Sequence, residues 1–191
     1  MKSFFDETIS LLLETHPLDR VPRAGYLLRG VTEPESVAAH SFSLALLVML
    51  VTDQYPEEYN KEKALTLALI HDIPECITMD IPMPAGNDIF KKEKTKAELE
   101  ITQDIFGGTA FHQGKHYSAL YQDLLEAGSP EARLVRGLDK VQMMCKVLAY
   151  EKENRGNLEE FWEYKDNFNN YGCPQTEELF NALFKKAGRT Q

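Results

Sequence analysis

Residues 64–72 read Ala-Leu-Thr-Leu-Ala-Leu-Ile-His-Asp, an apolar segment with helical periodicity that ends in an imidazole and a carboxylate. Two adjacent polar groups at the end of a core helix are costly unless a partner uses them, and a divalent metal is the obvious partner. His40 and Asp139 lie in two other segments that are otherwise apolar on the same helical face. Two His and two Asp on three core helices therefore predict a metal-centred hydrolase.

Helical periodicity also dominates the rest of the chain. The sequence predicts helices from Phe4 to about Leu13, Val37 to Val51, Asn60 to about Asp72, Asp88 to Phe106, His116 to Ala127, Ser129 to about Asn154, 157–168 and 175–187. Thr78 to Pro84 is short, contains two prolines and is predicted to be a loop. We expect a compact all-α bundle of about 7–9 helices, forming a single domain over residues 1–191. Its core covers about residues 20–150, and C-terminal helices within 157–187 pack on it.

Composition narrows the class of protein. A net charge of -9 argues against a protein that coats nucleic acid, since such proteins carry basic stripes. The three cysteines, Cys76, Cys145 and Cys173, form no C-x-x-C pair and suit a reducing compartment. The N-terminus lacks the apolar core of a signal peptide, and the apolar run Leu44–Val51 is too short to span a bilayer. We expect a cytoplasmic protein that binds neither nucleic-acid polymers nor membranes.

The ligand types limit the choice of metal. Two imidazoles and two carboxylates form a mixed nitrogen and oxygen set, which fits one divalent Mn, Fe, Co, Ni or Zn ion better than calcium or a thiolate-bound ion. Such an ion keeps open positions, as metal-assisted hydrolysis requires. A buried His–Asp hydrogen-bond network without metal is the alternative for the same residues.

Three longer motifs surround these residues. They are Arg23-Ala-Gly-Tyr-Leu-Leu-Arg29, then Pro34-Glu-Ser-Val-Ala-Ala-His40-Ser, then Leu69-Ile-His71-Asp72-Ile-Pro-Glu75-Cys-Ile-Thr-Met-Asp80-Ile-Pro. In this order, over about residues 20 to 150, the chain resembles the HD-domain metal-dependent phosphohydrolases, and within them the 5'-deoxynucleotidase branch. The run H-D-x-x-E-x4-D after E-S-V-x-x-H is far more specific than a bare His-Asp pair.

The resemblance implies a role for each matching residue. The metal ligands would be His40, His71, Asp72 and Asp139. Glu75 would act as the general acid/base or would orient the attacking water, and Asp80 would assist the leaving group or the sugar. Glu75 shares a face with His71 only if the helix continues past Pro74.

The same resemblance implies two substrate-binding residues upstream. Arg23 would hold the phosphate, because a planar guanidinium binds phosphate through two hydrogen bonds. Tyr26 falls where relatives carry an aromatic residue near the sugar. A surface arginine and a packed aromatic are the alternatives for these two positions.

Further residues near the motifs have less specific patterns. Lys91 and Lys94 form a K-x-x-K turn that could help to bind phosphate or could be a solvated helix face. Cys76 is interpreted as a small buried thiol. Relatives carry an acid where this chain has Ala39 and a glycine where it has Met79, which we expect to weaken the support of His40 and to reshape the pocket loop.

The activity implied by the resemblance is hydrolysis of (deoxy)nucleoside 5'-monophosphates to nucleoside and phosphate, by a homodimer. Three alternatives stay open at this point: an HD-type phosphohydrolase acting on a phosphodiester, triphosphate or pyrophosphorylated nucleotide, a non-catalytic metal-dependent nucleotide-binding module, and a helical interaction scaffold.

Overall fold

The computed structural model of this chain describes residues 3–82, 88–107 and 111–190. For residues 88, 89 and 91 the description covers the backbone only. These residues form ten α-helices and two 3-10 helices. Among them there is no β-strand, and an isolated antiparallel bridge joins Pro22 to Ser36. The predicted all-α class is therefore confirmed.

The α-helices are numbered in chain order. They are α1 (Phe4–Thr15), α2 (Ala24–Leu27), α3 (Val37–Gln54), α4 (Lys61–Ile70), α5 (Glu75–Thr78), α6 (Asp88–Phe106), α7 (Gly114–Glu126), α8 (Pro130–Lys152), α9 (Glu159–Glu163) and α10 (Pro174–Ala187). The 3-10 helices are His16–Asp19 and Lys165–Phe168. Side-chain oxygens of Ser36, Asn60 and Ser129 accept a backbone N–H at the starts of α3, α4 and α8, so these helix starts follow from the sequence as expected.

Several elements differ from the prediction: α2, α5 and the 3-10 helix His16–Asp19 were not predicted, and the helix expected to reach about Asp72 ends at Ile70. The single helix expected over 157–168 is instead α9 followed by the 3-10 helix, because Tyr164 between them has extended backbone angles. The loop expected from Thr78 to Pro84 begins one residue later, since Thr78 is the last residue of α5. Residues 83 and 84 of that loop lie outside the described residues.

The core that positions the site is formed by α3, α4 and α8, which pack against one another. Leu44, Leu67 and Leu138, one from each helix, are fully buried in one apolar cluster. Burial of such side chains contributes roughly 1.5–3 kcal/mol each. Rigid packing of these three helices fixes the relative positions of the polar residues that they carry.

The C-terminal helix α10 packs on α8. At their closest approach a Cβ atom on Gly137 would lie only 2.8 Å from the Thr176 side chain, so glycine is required there. A second apolar cluster, which includes Val141 of α8 and Phe180 of α10, surrounds this contact.

Helix α3 has an unusual composition for a core helix. By length and composition alone it could cross a membrane, and no other helix of the described residues meets that test. In the structure it contacts both α4 and α8 through residues such as Leu44 and Val48, which are fully buried. Its opposite face carries exposed Phe42, Leu46 and Leu50.

Candidate metal centre and substrate cavity

The four predicted metal ligands meet at the junction of α3, α4 and α8. The Nε2 atom of His40 lies 3.2 Å from Nε2 of His71 and 3.0 Å from Oδ1 of Asp139. The Nε2 atom of His71 lies 3.0 Å from Oδ2 of Asp72. One ligand atom from each of His40, His71 and Asp72 falls within 4.8 Å of the others, so these three residues could hold one ion together, with Asp139 beside them.

The donor atoms of this cluster suit a cation. Nδ1 of His40 faces the amide oxygen of Gln142 at 2.5 Å, and Nδ1 of His71 faces the backbone oxygen of Ala68 at 2.8 Å. Because each Nδ1 therefore carries the hydrogen in the neutral ring, each Nε2 presents a lone pair. Two lone pairs and two carboxylates that converge in this way repel one another unless a positive charge lies among them. The residues present therefore fit a divalent metal.

Electrostatics of the cluster point the same way. Burial by itself lowers the pKa of His71, but the charge and hydrogen bond of Asp72, the charge of Asp139 and the hydrogen bond to Ala68 together raise this pKa to about 9. For the carboxyl of Asp139, burial acts to raise the pKa, but hydrogen bonding to His40 and the charges of His40 and His71 hold it well below its usual range. Without metal the cluster thus binds a proton tightly, and a metal ion would take the place of that positive charge.

Sequence reasoning missed a buried hydrogen-bond chain behind His40. Gln142 accepts from Nδ1 of His40, and its amide nitrogen lies 3.3 and 3.4 Å from the two oxygens of Glu35. The ammonium of Lys146 lies 3.5 Å from the same Glu35 carboxylate. Gln142 sits one helical turn after Asp139 on the inward side of α8, and that spacing is the only signal that could have revealed it.

Glu75 lies beside the cluster, on a separate helix. Helix α4 ends at Ile70 and Glu75 begins the short α5, so the helix does not continue past Pro74 and Glu75 does not share a helical face with His71. The carboxyl is buried: Oε1 lies 3.3 Å from Nζ of Lys94, and Oε2 has no hydrogen-bond partner within the part of the chain that the structure describes. Burial, followed by the charges of Asp72 and Asp80, raises the pKa of Glu75 to about 9 although Arg23 and Lys94 oppose this. A carboxyl with this pKa is protonated at neutral pH, and the charge of a metal ion held at the cluster would lower the pKa towards the range of a proton acceptor.

Arg23 reaches the cluster because its segment is tied to the start of α3. The backbone N–H of Arg23 donates to the backbone oxygen of Glu35 at 3.0 Å, and the backbone N–H of Val37 donates to the backbone oxygen of Val21 at 2.9 Å. Nη1 of Arg23 then lies 3.3 Å from both Asp72 and Asp80. Burial lowers the pKa of Arg23, but the charges of the surrounding carboxylates, led by Asp80 and Asp72, together keep the pKa above its usual value.

Asp80 is held by the same segment. Its Oδ2 accepts the backbone N–H of Ala24 at 2.6 Å, while Oδ1 faces Arg23. The structure therefore brings Asp80 next to Arg23 and the metal cluster, although the two residues are far apart in the chain.

A cavity of about 800 Å³ opens beside the cluster. Of the predicted site residues, Arg23, Tyr26, Asp80 and Asp139 line it. Tyr26 is 2% exposed, and its hydroxyl donates to the backbone oxygen of Met143 at 3.0 Å. The Tyr26 hydroxyl is thus committed to the protein, and the residue contributes a packed ring to the cavity wall.

The structure places the remaining candidate residues as follows. Lys94 lines the cavity and lies within 3.3 Å of Glu75 and Glu98. The side chain of Lys91 lies outside the described residues. Cys76 is half-buried, and burial raises the pKa of its thiol.

The two positions that depart from the relatives behave differently from each other. Ala39 is exposed, so support for His40 comes from Gln142 and not from the residue before the histidine. Met79 has φ 62° and ψ 168°, a backbone conformation that favours glycine. Glycine, the residue that the family resemblance implies at this position, would therefore be less strained at this turn between Glu75 and Asp80.

Comparison with known proteins agrees with these observations. Residues 16–175 match the HD domain family. The mouse protein "5'-deoxynucleotidase HDDC2" is 34% identical over 87% of this chain and 81% of its own length. The zebrafish protein of the same name is 34% identical over 96% of this chain and 90% of its own length.

Solved structures show the same fold. A conserved hypothetical protein from Pyrococcus furiosus matches with a TM-score of 0.76 and 30% identity, covering 95% of this chain and 99% of that one. A predicted metal-dependent phosphohydrolase from Magnetospirillum magnetotacticum matches with a TM-score of 0.74, but at 22% identity it supports the fold alone. With the motifs, the cluster and the match over most of its length, this chain belongs to the HD domain family.

Proposed function

We propose that this protein is a metal-dependent phosphomonoesterase that hydrolyses deoxynucleoside 5'-monophosphates to deoxynucleoside and phosphate. The observation that carries the proposal is the convergence of two imidazole lone pairs and two carboxylates beside a cavity that also holds Arg23. The relatives named 5'-deoxynucleotidase support the substrate class.

The residues divide the chemistry among them. A divalent metal held by His40, His71, Asp72 and Asp139 would supply a Lewis acid for the phosphoryl group. Arg23 binds a phosphate oxygen and offsets the charge that develops during attack. The charge of the bound metal would lower the pKa of Glu75, and its carboxylate would then accept the proton of the attacking water through Oε2, which has no hydrogen-bond partner among the described residues.

Asp80 has a positioning role in this scheme. It fixes Arg23 through its Oδ1 atom and anchors the backbone of Ala24 through Oδ2. The leaving 5'-oxygen takes its proton from a nearby acid or from solvent. We propose Mn, Co, Fe, Ni or Zn as the metal, because the ligand set mixes imidazole nitrogen with carboxylate oxygen.

The experiment is phosphate release from a panel of nucleoside and deoxynucleoside 5'-monophosphates. Metal-stripped protein is assayed alone and with Mn²⁺, Co²⁺, Mg²⁺ or Zn²⁺ added. We expect release only with metal, and faster with the deoxy substrates. Turnover of a triphosphate or a cyclic dinucleotide without turnover of monophosphates would contradict the proposal. So would tight binding of monophosphates by metal-loaded protein that releases no phosphate.

We further propose that the protein is a homodimer that uses the outer face of α3. Phe42, Leu46 and Leu50 recur every four residues on that face and are 71%, 45% and 56% exposed. On α1, exposed Phe5 and Leu13 add to the uncovered apolar area. A stable dimer buries about 800 Å² on each partner, and exposed apolar side chains along one helix face are typical of such interfaces.

Molar mass in solution, measured by light scattering at several concentrations, tests the dimer. We expect twice the mass of the chain for the wild type and a monomer for Leu46→Glu. Lys115→Glu, an exposed acidic substitution on α7, serves as the control and should stay dimeric. A monomeric wild type, or attachment of the wild type to lipid vesicles through this face, would contradict the proposal.

We also propose that the protein works in the cytoplasm on small nucleotides and not on nucleic-acid polymers. The free thiols of Cys76, Cys145 and Cys173 support a reducing compartment. The net charge of -9 supports the exclusion of polymers. Cell fractionation and binding to single-stranded and double-stranded DNA at low salt are the tests.

A further inference from the structure

The cavity beside the metal cluster is much larger than a phosphate group needs. Its volume of about 800 Å³ is in the range of sites that enclose a whole small molecule. Arg23, Asp80 and Asp139 occupy one part of its lining. Another part comes from the segment 161–171, and we name its six lining residues the C-terminal wall: Phe161, Tyr164, Asp166, Asn167, Asn169 and Tyr171.

The C-terminal wall is fastened to α8, the helix that carries Asp139. The ammonium of Lys140 lies 3.6 Å from Oδ2 of Asp166. The guanidinium of Arg136 lies 4.7 Å from the centre of the Tyr171 ring, and its Nη2 donates to the Tyr171 hydroxyl at 3.2 Å. Because the fastening residues flank Asp139, the position of the wall is set relative to the metal cluster.

Phe161 is the wall residue whose ring position is best defined. Its backbone oxygen accepts from the buried Asn167 amide at 2.9 Å, and its ring stacks on Tyr26 with centroids 5.3 Å apart. A Cβ atom placed on Gly25 would lie 3.5 Å from Phe161 and 3.8 Å from Pro82. The absence of a side chain at Gly25 thus leaves space between Phe161 and Pro82 within the cavity.

We infer that the C-terminal wall is a nucleobase subsite that completes the phosphate site at the metal cluster. The inference rests on the proposed function, which supplies a substrate with phosphate at one end and a base at the other. Phe161 and Tyr164 offer aromatic surface, and bases stack on such rings whatever their identity. The wall therefore retains the base without choosing among the four bases, so the subsite accepts purines and pyrimidines.

The test compares a substrate that has a base with one that lacks it. Deoxyadenosine 5'-monophosphate and 2-deoxyribose 5-phosphate are assayed with wild type, Phe161→Leu and Tyr164→Ala. Stacking on an aromatic residue is worth about 1–3 kcal/mol, so we expect KM for the nucleotide to rise by about tenfold in each variant. For the sugar phosphate, kcat/KM should stay at the wild-type value.

Tyr55→Ala is the matched control, because Tyr55 is 38% exposed and Tyr164 is 42% exposed. Tyr55 lies at the end of α3 and does not line the cavity, so we expect no change with either substrate. Equal losses on both substrates in Phe161→Leu and Tyr164→Ala, or no loss on either, would overturn the inference.

Equilibrium binding separates this inference from the proposed function. Suppose that wild type releases no phosphate from any nucleotide, but deoxyadenosine binds and Tyr164→Ala weakens that binding about tenfold. The proposed phosphomonoesterase function is then wrong, and the nucleobase subsite is supported. If wild type releases phosphate equally well from nucleotide and sugar phosphate, the proposed phosphomonoesterase function is supported and the nucleobase subsite is wrong. Thermal melting of Phe161→Leu and Tyr164→Ala checks that both variants are folded.

Discussion

The metal cluster and the C-terminal wall face one cavity but are built in opposite ways. The cluster residues come from three long, mutually packed helices, and His40 is completely buried. The wall is formed by the five-residue helix α9, the 3-10 helix Lys165–Phe168 and the residues after them, and Tyr164 is exposed. The difference indicates that the packed core of the fold fixes the metal cluster, which is the reactive end of the cavity. The wall, which we propose as the recognition end, lies in a separate segment that we expect to tolerate substitution without disturbing that core.

Removal of one metal ligand should have the largest effect on activity, and it should affect the metal cluster without a matching effect from the wall. In Asp139→Asn we expect loss of bound metal and a fall in phosphate release by about 10³-fold or more, because several kcal/mol of charge stabilisation disappear. Metal content by mass spectrometry and kcat are the measurements. Asp166→Asn changes a carboxylate of the wall instead and should keep its full metal content. Equal metal loss in both variants would show that cluster and wall are not separate.

Glu75→Gln separates metal binding from chemistry within the reactive end. We expect metal content to stay at the wild-type level and kcat to fall by roughly 10²–10⁴-fold, the usual contribution of a general acid or base. Full turnover in metal-loaded Glu75→Gln would remove Glu75 from the mechanism.

Gln142→Met tests whether the hydrogen bond behind His40 contributes to metal binding. The substitution keeps the volume but removes the acceptor that holds Nδ1 of His40, so we expect metal affinity to fall by about 10–100-fold. Competition with a metal chelator measures it. Gln122→Met, on the surface of α7, is the control. Unchanged affinity in Gln142→Met would mean that packing alone orients His40.

Met79→Gly addresses the turn that joins Glu75 to Asp80. A non-glycine residue at φ 62° costs about 1–3 kcal/mol, so glycine should raise Tm by roughly 2–6 °C even though it increases the entropy of the unfolded chain. Differential scanning calorimetry measures the shift. A lower Tm would show that the Met79 side chain contributes more than the strain costs.

The fold was largely predictable because helical periodicity and capping residues are local signals. Ser129 followed by Pro130 marks the start of α8 in the sequence, and the helix begins there. The break at Tyr164 was not predictable, since it depends on how the C-terminal segment packs against α8 and not on a local glycine or proline.

The residues of the site also fall into a predictable group and an unpredictable group. His40, His71, Asp72 and Asp139 stood out because polar groups on apolar helix faces are costly. Gln142 and Phe161 carried no comparable signal, because a neutral glutamine one turn after Asp139 and an aromatic among aromatics are both ordinary in sequence, although Gln142 is buried in the structure. Their roles depend on contacts between residues that are distant in the chain, such as the 3.3 Å separation between Gln142 and Glu35.

The distribution of the ligands along the chain has a consequence for synthesis. His40, His71 and Asp72 leave the ribosome well before Asp139, which comes at position 139 of 191. A nascent chain that has made α3 and α4 holds two imidazoles and one carboxylate without the fourth group. Complete capture of the ion therefore waits for α8, and the segment that would recognise the base emerges later still.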